Sequence, residues 1–581
     1  MKEGNAKYGE VPGVSVMGPK GVRELVVDGD KSKVKLSFVP VTDQPFKEAL
    51  RAEIITSSGN NWDVQVHAMT TQPVKRGDVM LATFFFRTEW APDESGEGQT
   101  EFVFELAKDP WTKSVSYPIR ASRQWKQVFV PFVSAEDYAA GEAHWIFRLG
   151  FSPEIIDIGG VTLENFGKKL ALVDLPKTKL VYGGMEADAA WRAAAEERIE
   201  KLRKADLSVL VKDKSGAPVP GASIKLTQKK QAFGWGTCAP AELLVGGSNQ
   251  RFQDLIPELF NTVTLENDLK WVPLAGDWGS SFTLERAKRA VAWLKAKDLA
   301  VRGHVLVWPG WKNSPRYLKG YEKNPEKLES EVERHIKELT AEMRGSLVHW
   351  DVLNEPFDNH DIIDIVGQGK MVDWFKLARA GDPGAKLFIN DYAILSGGGG
   401  TTPHRDHYDT TIAYLLEQGA PVDAIGMQGH FGTSLTSADD VLALLDRYGR
   451  FNRPIWITEY DIVLDDEELA ASYTRDLLTL LFSHQAVEGF IMWGFWDGSH
   501  WKKNAPLYRG DWSEKPANKV YRDLVLGKWR TNATGTSDAA GKYAVRAFHG
   551  EYSITVTHAG KTKTLKAQVG AAPSSVTVTL D

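Results

Sequence analysis

Glu355 and Glu459 are the residues whose types and settings point most directly to chemistry. Each closes an apolar, strand-like run: His349-Trp350-Asp351-Val352-Leu353-Asn354-Glu355-Pro356, and Pro454-Ile455-Trp456-Ile457-Thr458-Glu459-Tyr460. About a hundred residues separate them, so only a fold can bring them together. A parallel barrel does this by placing the carboxyl ends of its strands around one mouth. Two carboxyl groups about 5–5.5 Å apart can break a glycosidic bond with retention, one attacking the sugar and the other protonating the leaving oxygen. An isolated Glu more often caps a strand or pairs with an Arg; the neighbours of these two weigh against that role.

Other polar and aromatic residues gather at further strand ends. They are Glu266-Asn267-Asp268-Leu269-Lys270-Trp271, Arg302-Gly303-His304 followed by Trp308, Asn390-Asp391-Tyr392, Gln428-Gly429-His430, and Trp493-Gly494-Phe495-Trp496-Asp497 with His500-Trp501 beyond. Strand ends are expected near Gly234, Thr264, Gly303, Leu353, Asn390, Met427, Thr458 and Trp493. Helical periodicity fills the gaps. Ala287, Ala290, Val291 and Leu294 form one stripe. Leu328, Val332, Ile336 and Leu339 form another, opened by Asn324-Pro325 as N-cap and first helical residue. Residues 230–529 therefore predict a (β/α)8 TIM barrel.

The chain on either side of this region is β-rich. Leu207, Val209 and Val211 alternate before the turn Gly216-Ala217-Pro218-Val219-Pro220-Gly221. Tyr543, Val545, Tyr552, Ile554, Val556, Val576, Val578 and Leu580 alternate near the far end. A lone hairpin is marginal in water, so 206–229 and 530–581 are expected to form one small split β-sandwich with the barrel inserted into it. The two pieces resemble halves of a transthyretin-like or carboxypeptidase-regulatory-like domain. A linker, 176–205, precedes them and includes a charged helix over Glu186–Ala205. Residues 1–175 hold short strand candidates at Met80–Arg87, Glu101–Leu106, Gln127–Phe132, Trp145–Phe151 and Gly160–Phe166, which predicts an N-terminal β-sandwich of jelly-roll type. Trp62 alternates with Val64 and Val66 and is expected inside it. Trp90, Trp111 and Trp125 are candidate sugar platforms, since flat indoles stack on sugar faces.

Taken in order, Glu-Asn-x-x-Lys-Trp, Arg-Gly-His, Trp-Asp-Val-x-Asn-Glu, Asn-Asp-Tyr, Gln-x-His and Ile-Thr-Glu-x-Asp make the central domain resemble glycoside hydrolase family 10, the retaining endo-β-1,4-xylanases. The resemblance implies Glu355 as general acid/base and Glu459 as nucleophile, with His430 and Asp461 supporting the nucleophile. Asn354 matches the residue that bonds the sugar 2-OH. Glu266, Asn267, Lys270, His304 and Gln428 match the polar floor of the glycone subsites, Trp308, Trp493 and Trp501 the aromatic walls, and Tyr392 an aglycone contact. The proton donor must start protonated, so surroundings that disfavour its charge are expected around Glu355, Trp350 and Pro356 being consistent with that. One departure stands out. After Trp308 the family commonly continues His-Ser-Gln, whereas this chain has Pro309-Gly310-Trp311, and Trp311 thereby joins the candidate substrate contacts. The loop Ser396–Gly400 is expected to be mobile. The N-terminal part is similar in architecture to carbohydrate-binding modules found beside xylanases.

Bulk properties set the outer limits. The chain has 581 residues, too many for one ordinary core, and a net charge of −6 that gives no support for nucleic-acid or anionic-membrane partners. It has no apolar run long enough for a membrane span. The single cysteine, Cys238, excludes an internal disulfide and a cysteine-based metal site. His304 and His430 lack compact ligand spacing, so no metal and no cofactor are expected. The start, Met1-Lys2-Glu3-Gly4-Asn5, has no signal-peptide stretch. An insoluble substrate nonetheless leads us to expect a secreted, cell-surface or periplasmic protein; the sequence leaves the oligomeric state open, with a monomer favoured. The resulting expectation is retaining endo-hydrolysis of xylan. The alternatives are a retaining β-glycanase on another or heavily decorated glycan, and a non-catalytic polysaccharide-binding protein.

Overall fold

The computed structural model describes residues 8–57, 59–247 and 249–580; the opening Met1–Asn5 lies outside the described residues. The chain divides into two compact units. One contains the described residues up to Tyr182 together with Ser396–Gly398 and Phe431–Thr436, and the other contains the remainder.

In the second unit, eight parallel strands among the described residues close a barrel. They are β1 (Gly234–Ala239), β2 (Thr262–Leu265), β3 (Ala300–Gly303), β4 (His349–Asn354), β5 (Lys386–Asp391), β6 (Ala424–Met427), β7 (Ile455–Ile462) and β8 (Val487–Met492). Gly236 pairs with Thr262 and Gly234 with Gly489, so β1 joins β2 and β8 and the ring has no free edge. The first strand differs from expectation. Gly234 opens it rather than ending it, because the ladder continues beyond it, to Thr237 against β8 and to Ala239 against β2.

The amphipathic helices lie where their periodicity placed them. Helix Leu284–Ala296 buries Ala287, Ala290, Val291 and Leu294. Helix Pro325–Met343 starts with Asn324 accepting from Lys327 N–H and with Pro325 at its first position, and it buries Leu328, Val332, Ile336 and Leu339. Each such aliphatic side chain contributes about 1.5–3 kcal/mol by leaving water.

The two flanking β stretches of this unit combine. Lys204–Lys212 pairs with Lys542–Phe548 and Ser574–Thr579, while Ser223–Gln231 pairs with Asn532–Thr536 and Gly550–His558, which in turn pairs with Lys561–Val569. Leu207, Val209, Ile224, Leu226, Ile554 and Val556 share one core. The barrel is thus inserted in a small β-sandwich. The connecting helix is shorter than expected, Ala190–Leu202, because Lys204 and Ala205 are drawn into the ladder opposite Phe548 and Ala547. The loop expected to be mobile is tied down in part: the Arg405 guanidinium donates to the carbonyls of Gly399 and Gly400, both at 2.9 Å.

The first unit is a sandwich of two antiparallel sheets around one core. One sheet has Val34–Pro40, Glu48–Ile54, Glu154–Asn165, Val79–Trp90 and Lys126–Val133 in that order, with Val14–Ser15 beside Glu154–Asn165. The other has Val26–Gly29, Val64–Met69, Ala143–Arg148, Gly98–Leu106 and Lys113–Ala121. Trp62 is not in the core; it is 53% exposed. Its strand begins only at Val64, after a turn closed by Asp63 N–H on Asn60 O, so the alternation of the strand does not reach it. Trp125 is no open platform, since Phe46 packs edge-on against it and Arg87 lies 4.6 Å over its ring.

Candidate active site

Glu355 is the first residue beyond β4. Its φ of 51° lies in the left-handed region, which costs a residue bearing a Cβ about 1–2 kcal/mol. The Glu355 N–H donates to Asn390 O at 2.9 Å, anchoring this turn to β5. The carboxyl is buried and accepts three neutral N–H groups: Trp308 Nε1 (2.9 Å) and Asn359 Nδ2 (3.2 Å) on Oε2, and Gln428 Nε2 (2.7 Å) on Oε1. Trp350 is not part of these surroundings. Trp350 instead packs against the Gly303 backbone, and the carboxyl sits among hydrogen-bond donors.

Glu459 lies within β7, its N–H donating to Gln428 O at 2.8 Å. Its Oε1 accepts from Asn390 Nδ2 at 2.8 Å, and its Oε2 lies 3.6 Å from His430 Nε2. Burial alone would raise the pKa of this carboxyl, but His304, His430 and Lys270 outweigh burial and hold it at about 2. For His430, burial works downward, while Asp461 and Glu459 raise the imidazole to about 10. The pair is therefore an imidazolium beside a carboxylate across the neutral range.

The remaining expected residues fall into two groups. Asp461 reaches Glu459 through His430: its Oδ1 is 3.0 Å from His430 Nδ1, and its Oδ2 accepts from Trp501 Nε1 at 2.6 Å. Trp501 also meets the His430 ring edge-on. His304 Nδ1 is 2.9 Å from Asp351 Oδ2, and Asp351 takes a second bond from Arg302 at 2.8 Å. Trp493 lies edge-on to His304. Lys270 Nζ bonds Asn267 Oδ1 at 2.9 Å and lies 5.4 Å from the Trp308 ring and 5.8 Å from the Trp493 ring. Burial, partly offset by Lys270, raises the carboxyl of Glu266. Asn354 accepts from Asn390 at 2.9 Å, while its own Nδ2 is buried without a hydrogen-bond partner in the described structure. A buried amide left this way costs about 1–3 kcal/mol unless something binds it.

Two residues sit further out. Tyr392 donates its hydroxyl to Asp358 and meets His404 edge-on. Trp311 is half-buried on a short 3-10 turn, its N–H bonded to Asp361 at 2.8 Å. Its loop reaches the acid/base indirectly, since Asn313 donates to Asn359 at 2.7 Å and Asn359 bonds Glu355.

Sequence reasoning gave no role to several groups that hold this arrangement. Asn390 bridges Asn354 and Glu459, and Thr458 Oγ1 fixes its amide from the other side at 2.6 Å. Asn359 was readable only as a residue one helical turn past Glu355. Arg302 and Asp351 stood in the Arg-Gly-His and Trp-Asp-Val-x-Asn-Glu motifs without an assigned role.

A parallel barrel with two buried carboxyls, one after β4 and one within β7, has the architecture of a (β/α)8 glycoside hydrolase. The pattern of Glycosyl hydrolase family 10 matches residues 223–524, more than half of the sequence. The chain belongs to glycosyl hydrolase family 10. It is similar to the anti-sigma-I factor RsgI6 of Acetivibrio thermocellus, 31% identical over 374 residues covering 64% of this chain and 47% of that protein. It is also similar to endo-1,4-beta-xylanase 1 of Arabidopsis thaliana, 29% identical over 428 residues covering 72% of this chain and 44% of that protein. The chain thus spans about half the length of these relatives. The solved structure of native xylanase 10B from Thermotoga maritima aligns with 51% of this chain and 96% of that one, at 25% identity and a TM-score of 0.46.

Proposed function

We propose that the barrel hydrolyses internal β-1,4-xylosidic bonds of xylan with retention of configuration, Glu459 acting as nucleophile and Glu355 as acid/base. The observation that carries this reading is the unequal setting of the two carboxyls within a family 10 barrel. Glu459 is held ionised by neighbouring cations, while the three N–H donors on Glu355, from Trp308, Asn359 and Gln428, are neutral. The Glu459 carboxylate attacks the anomeric carbon as the bond to the leaving oxygen breaks, and Glu355 gives its proton to that oxygen. Water then attacks the glycosyl ester, Glu355 takes the water's proton, and the Glu459 carboxylate leaves. Asn354 Nδ2 supplies a free donor for the sugar 2-OH, a bond that strengthens as charge develops on the ring.

The proposal extends to the flanks. The N-terminal sandwich serves as a carbohydrate-binding module, the split sandwich over 206–229 and 530–581 braces the barrel, and the protein works outside the cytoplasm on xylan. Among the described residues no helix is long and apolar enough to cross a membrane. Proton NMR of the first-formed products tests the central claim. Retention at the anomeric carbon is expected, and inversion would remove Glu459 from its role. A panel of xylans and mixed-linkage glucans with product sizing tests the second reading, a β-glycanase on another or heavily decorated glycan, which draws on Trp311 standing where the family commonly has a sugar-contacting Gln.

A further inference from the structure

The five-stranded sheet of the N-terminal sandwich has an outer face that is buried, with polar residues on either side of the apolar pair Ile146 and Val103. Phe102, Phe104, Val64, Val66, Trp145 and Phe147 point into the sandwich core. By strand alternation their neighbours point outward, and an outward face of an antiparallel sheet is ordinarily solvated. The register places Gln65 opposite Arg148 and Arg148 opposite Glu101, with His144 opposite Glu105 further along. Gln65, Arg148, His144 and Glu105 are all more than nine-tenths buried.

This row is built and incomplete. Arg148 donates to Glu101 at 3.1 Å, Asn61 donates to Glu101 at 2.9 Å, and Gln65 donates to Asp28 at 2.9 Å. Gln65 Oε1, Arg148 Nε and Asn61 Oδ1 nonetheless remain buried without hydrogen-bond partners in the described structure. Buried polar atoms are normally satisfied by protein groups or ordered water, so three in one row leave hydrogen-bonding capacity for a further partner. An exposed indole stands at each end. Trp62, 53% exposed, lies 5.5 Å under the Arg148 guanidinium, and Trp111, 45% exposed, stacks on His144. Arg148 and His144 are four residues apart on one strand, about 13 Å, longer than a single pyranose ring.

We propose that this face binds a neutral β-linked glycan chain, with Trp62 and Trp111 stacking on sugar rings and Gln65, Arg148 and Asn61 bonding hydroxyls between them. The charges along the row are already matched, Arg148 with Glu101 and Lys113 with Glu105 at 2.7 Å, so the face offers directional hydrogen bonds and not net charge. That selects sugar hydroxyls over uronate or phosphate. The inference rests on the reading of this sandwich as a carbohydrate-binding module and replaces the platforms that sequence position alone had picked out, Trp111 excepted.

The test uses the full chain. Retention on insoluble xylan is measured by depletion for wild type, Trp62→Ala, Trp111→Ala and Trp90→Ala, with hydrolysis of a soluble xylo-oligosaccharide and the urea midpoint measured beside it. The proposal expects at least tenfold weaker retention for Trp62→Ala and for Trp111→Ala, wild-type retention for Trp90→Ala, and unchanged soluble turnover and midpoint. As a second probe, Gln65→Ala should weaken retention while both indoles remain. Wild-type retention in the Trp62 and Trp111 variants would overturn the site while leaving the module reading in place. A wild-type chain that cleaves the soluble substrate yet is not retained would overturn the module reading itself.

Discussion

Asn390 Nδ2 donates to Glu459 Oε1 at 2.8 Å, and the same nitrogen donates to Asn354 Oδ1 at 2.9 Å. One amide thus orients both the candidate nucleophile and the candidate ligand of the sugar 2-OH. Thr458 Oγ1, donating to Asn390 Oδ1, sets which way that amide faces. A hydrogen bond to a charged group is worth about 1.5–3 kcal/mol. Asn390→Ala is therefore expected to lower kcat about tenfold to a hundredfold, with a smaller change in KM. Steady-state kinetics on xylo-oligosaccharides checks this, and wild-type kcat would show the bridge to be structural.

Glu459→Ala should abolish hydrolysis while oligosaccharide binding survives in calorimetry. Glu355→Ala should slow substrates with poor leaving groups far more than those with activated aryl leaving groups, because only the former need a proton. Equal losses on both would contradict the donor role. Undiminished turnover by the Glu459 variant would remove it from the nucleophile role, whereas a wild-type chain that binds xylan without cleaving it would favour a non-catalytic polysaccharide-binding protein.

Trp308→Phe keeps a ring against Lys270 but removes the N–H on Glu355 Oε2. Loss of one such bond is expected to reduce kcat about tenfold, with a displaced alkaline limb in the pH–rate profile. An unchanged profile would mean that Asn359 and Gln428 hold the carboxyl by themselves.

Stability should depend on pH from both sides of the His430–Glu459 pair. The Glu459 carboxyl falls from about 4.3 in the unfolded chain to about 2 in the fold, so its contribution is fully present above the unfolded value and is lost as pH falls through about 2. His430 rises from about 6.5 in the unfolded chain to about 10, so its contribution is present below the unfolded value and is lost as pH rises through about 10. Both are in place together between the two unfolded values. Urea titrations of wild type and His430→Gln should show a stability gap that narrows from pH 6.5 toward pH 10; a constant gap would disprove the linkage.

Gly489 in β8 faces the Trp456 indole so closely that an added Cβ would sit 2.2 Å from a ring carbon. Gly489→Ala should destabilise the chain by about 1–3 kcal/mol through overpacking, read as a lower urea midpoint.

Much of this was legible beforehand because apolar periodicity and motif order are local. The stripe at Leu328, Val332, Ile336 and Leu339 could bury only one way, and helix Pro325–Met343 follows it. Glu355, Glu459, His304, His430 and Trp493 all stand at or near strand ends, and a parallel barrel gathers such ends at one mouth. Trp62 was misread because parity counts residues within a strand and does not say where the strand starts. Trp350, five residues before Glu355, was misread as its neighbour because the strand turns that indole to Gly303, while Trp308 and Gln428 reach the carboxyl from beyond other strands.

The amino-acid order by itself determined which segments become strands and helices, and which side chains stand at their ends, since both depend on neighbours only a few residues away. Tertiary structure alone decided which of those ends touch. Asn390 meets Glu459, Gln428 meets Glu355 and Asp461 reaches the nucleophile through His430 because closing the barrel sets strand against strand, and those distances do not exist in the unfolded chain.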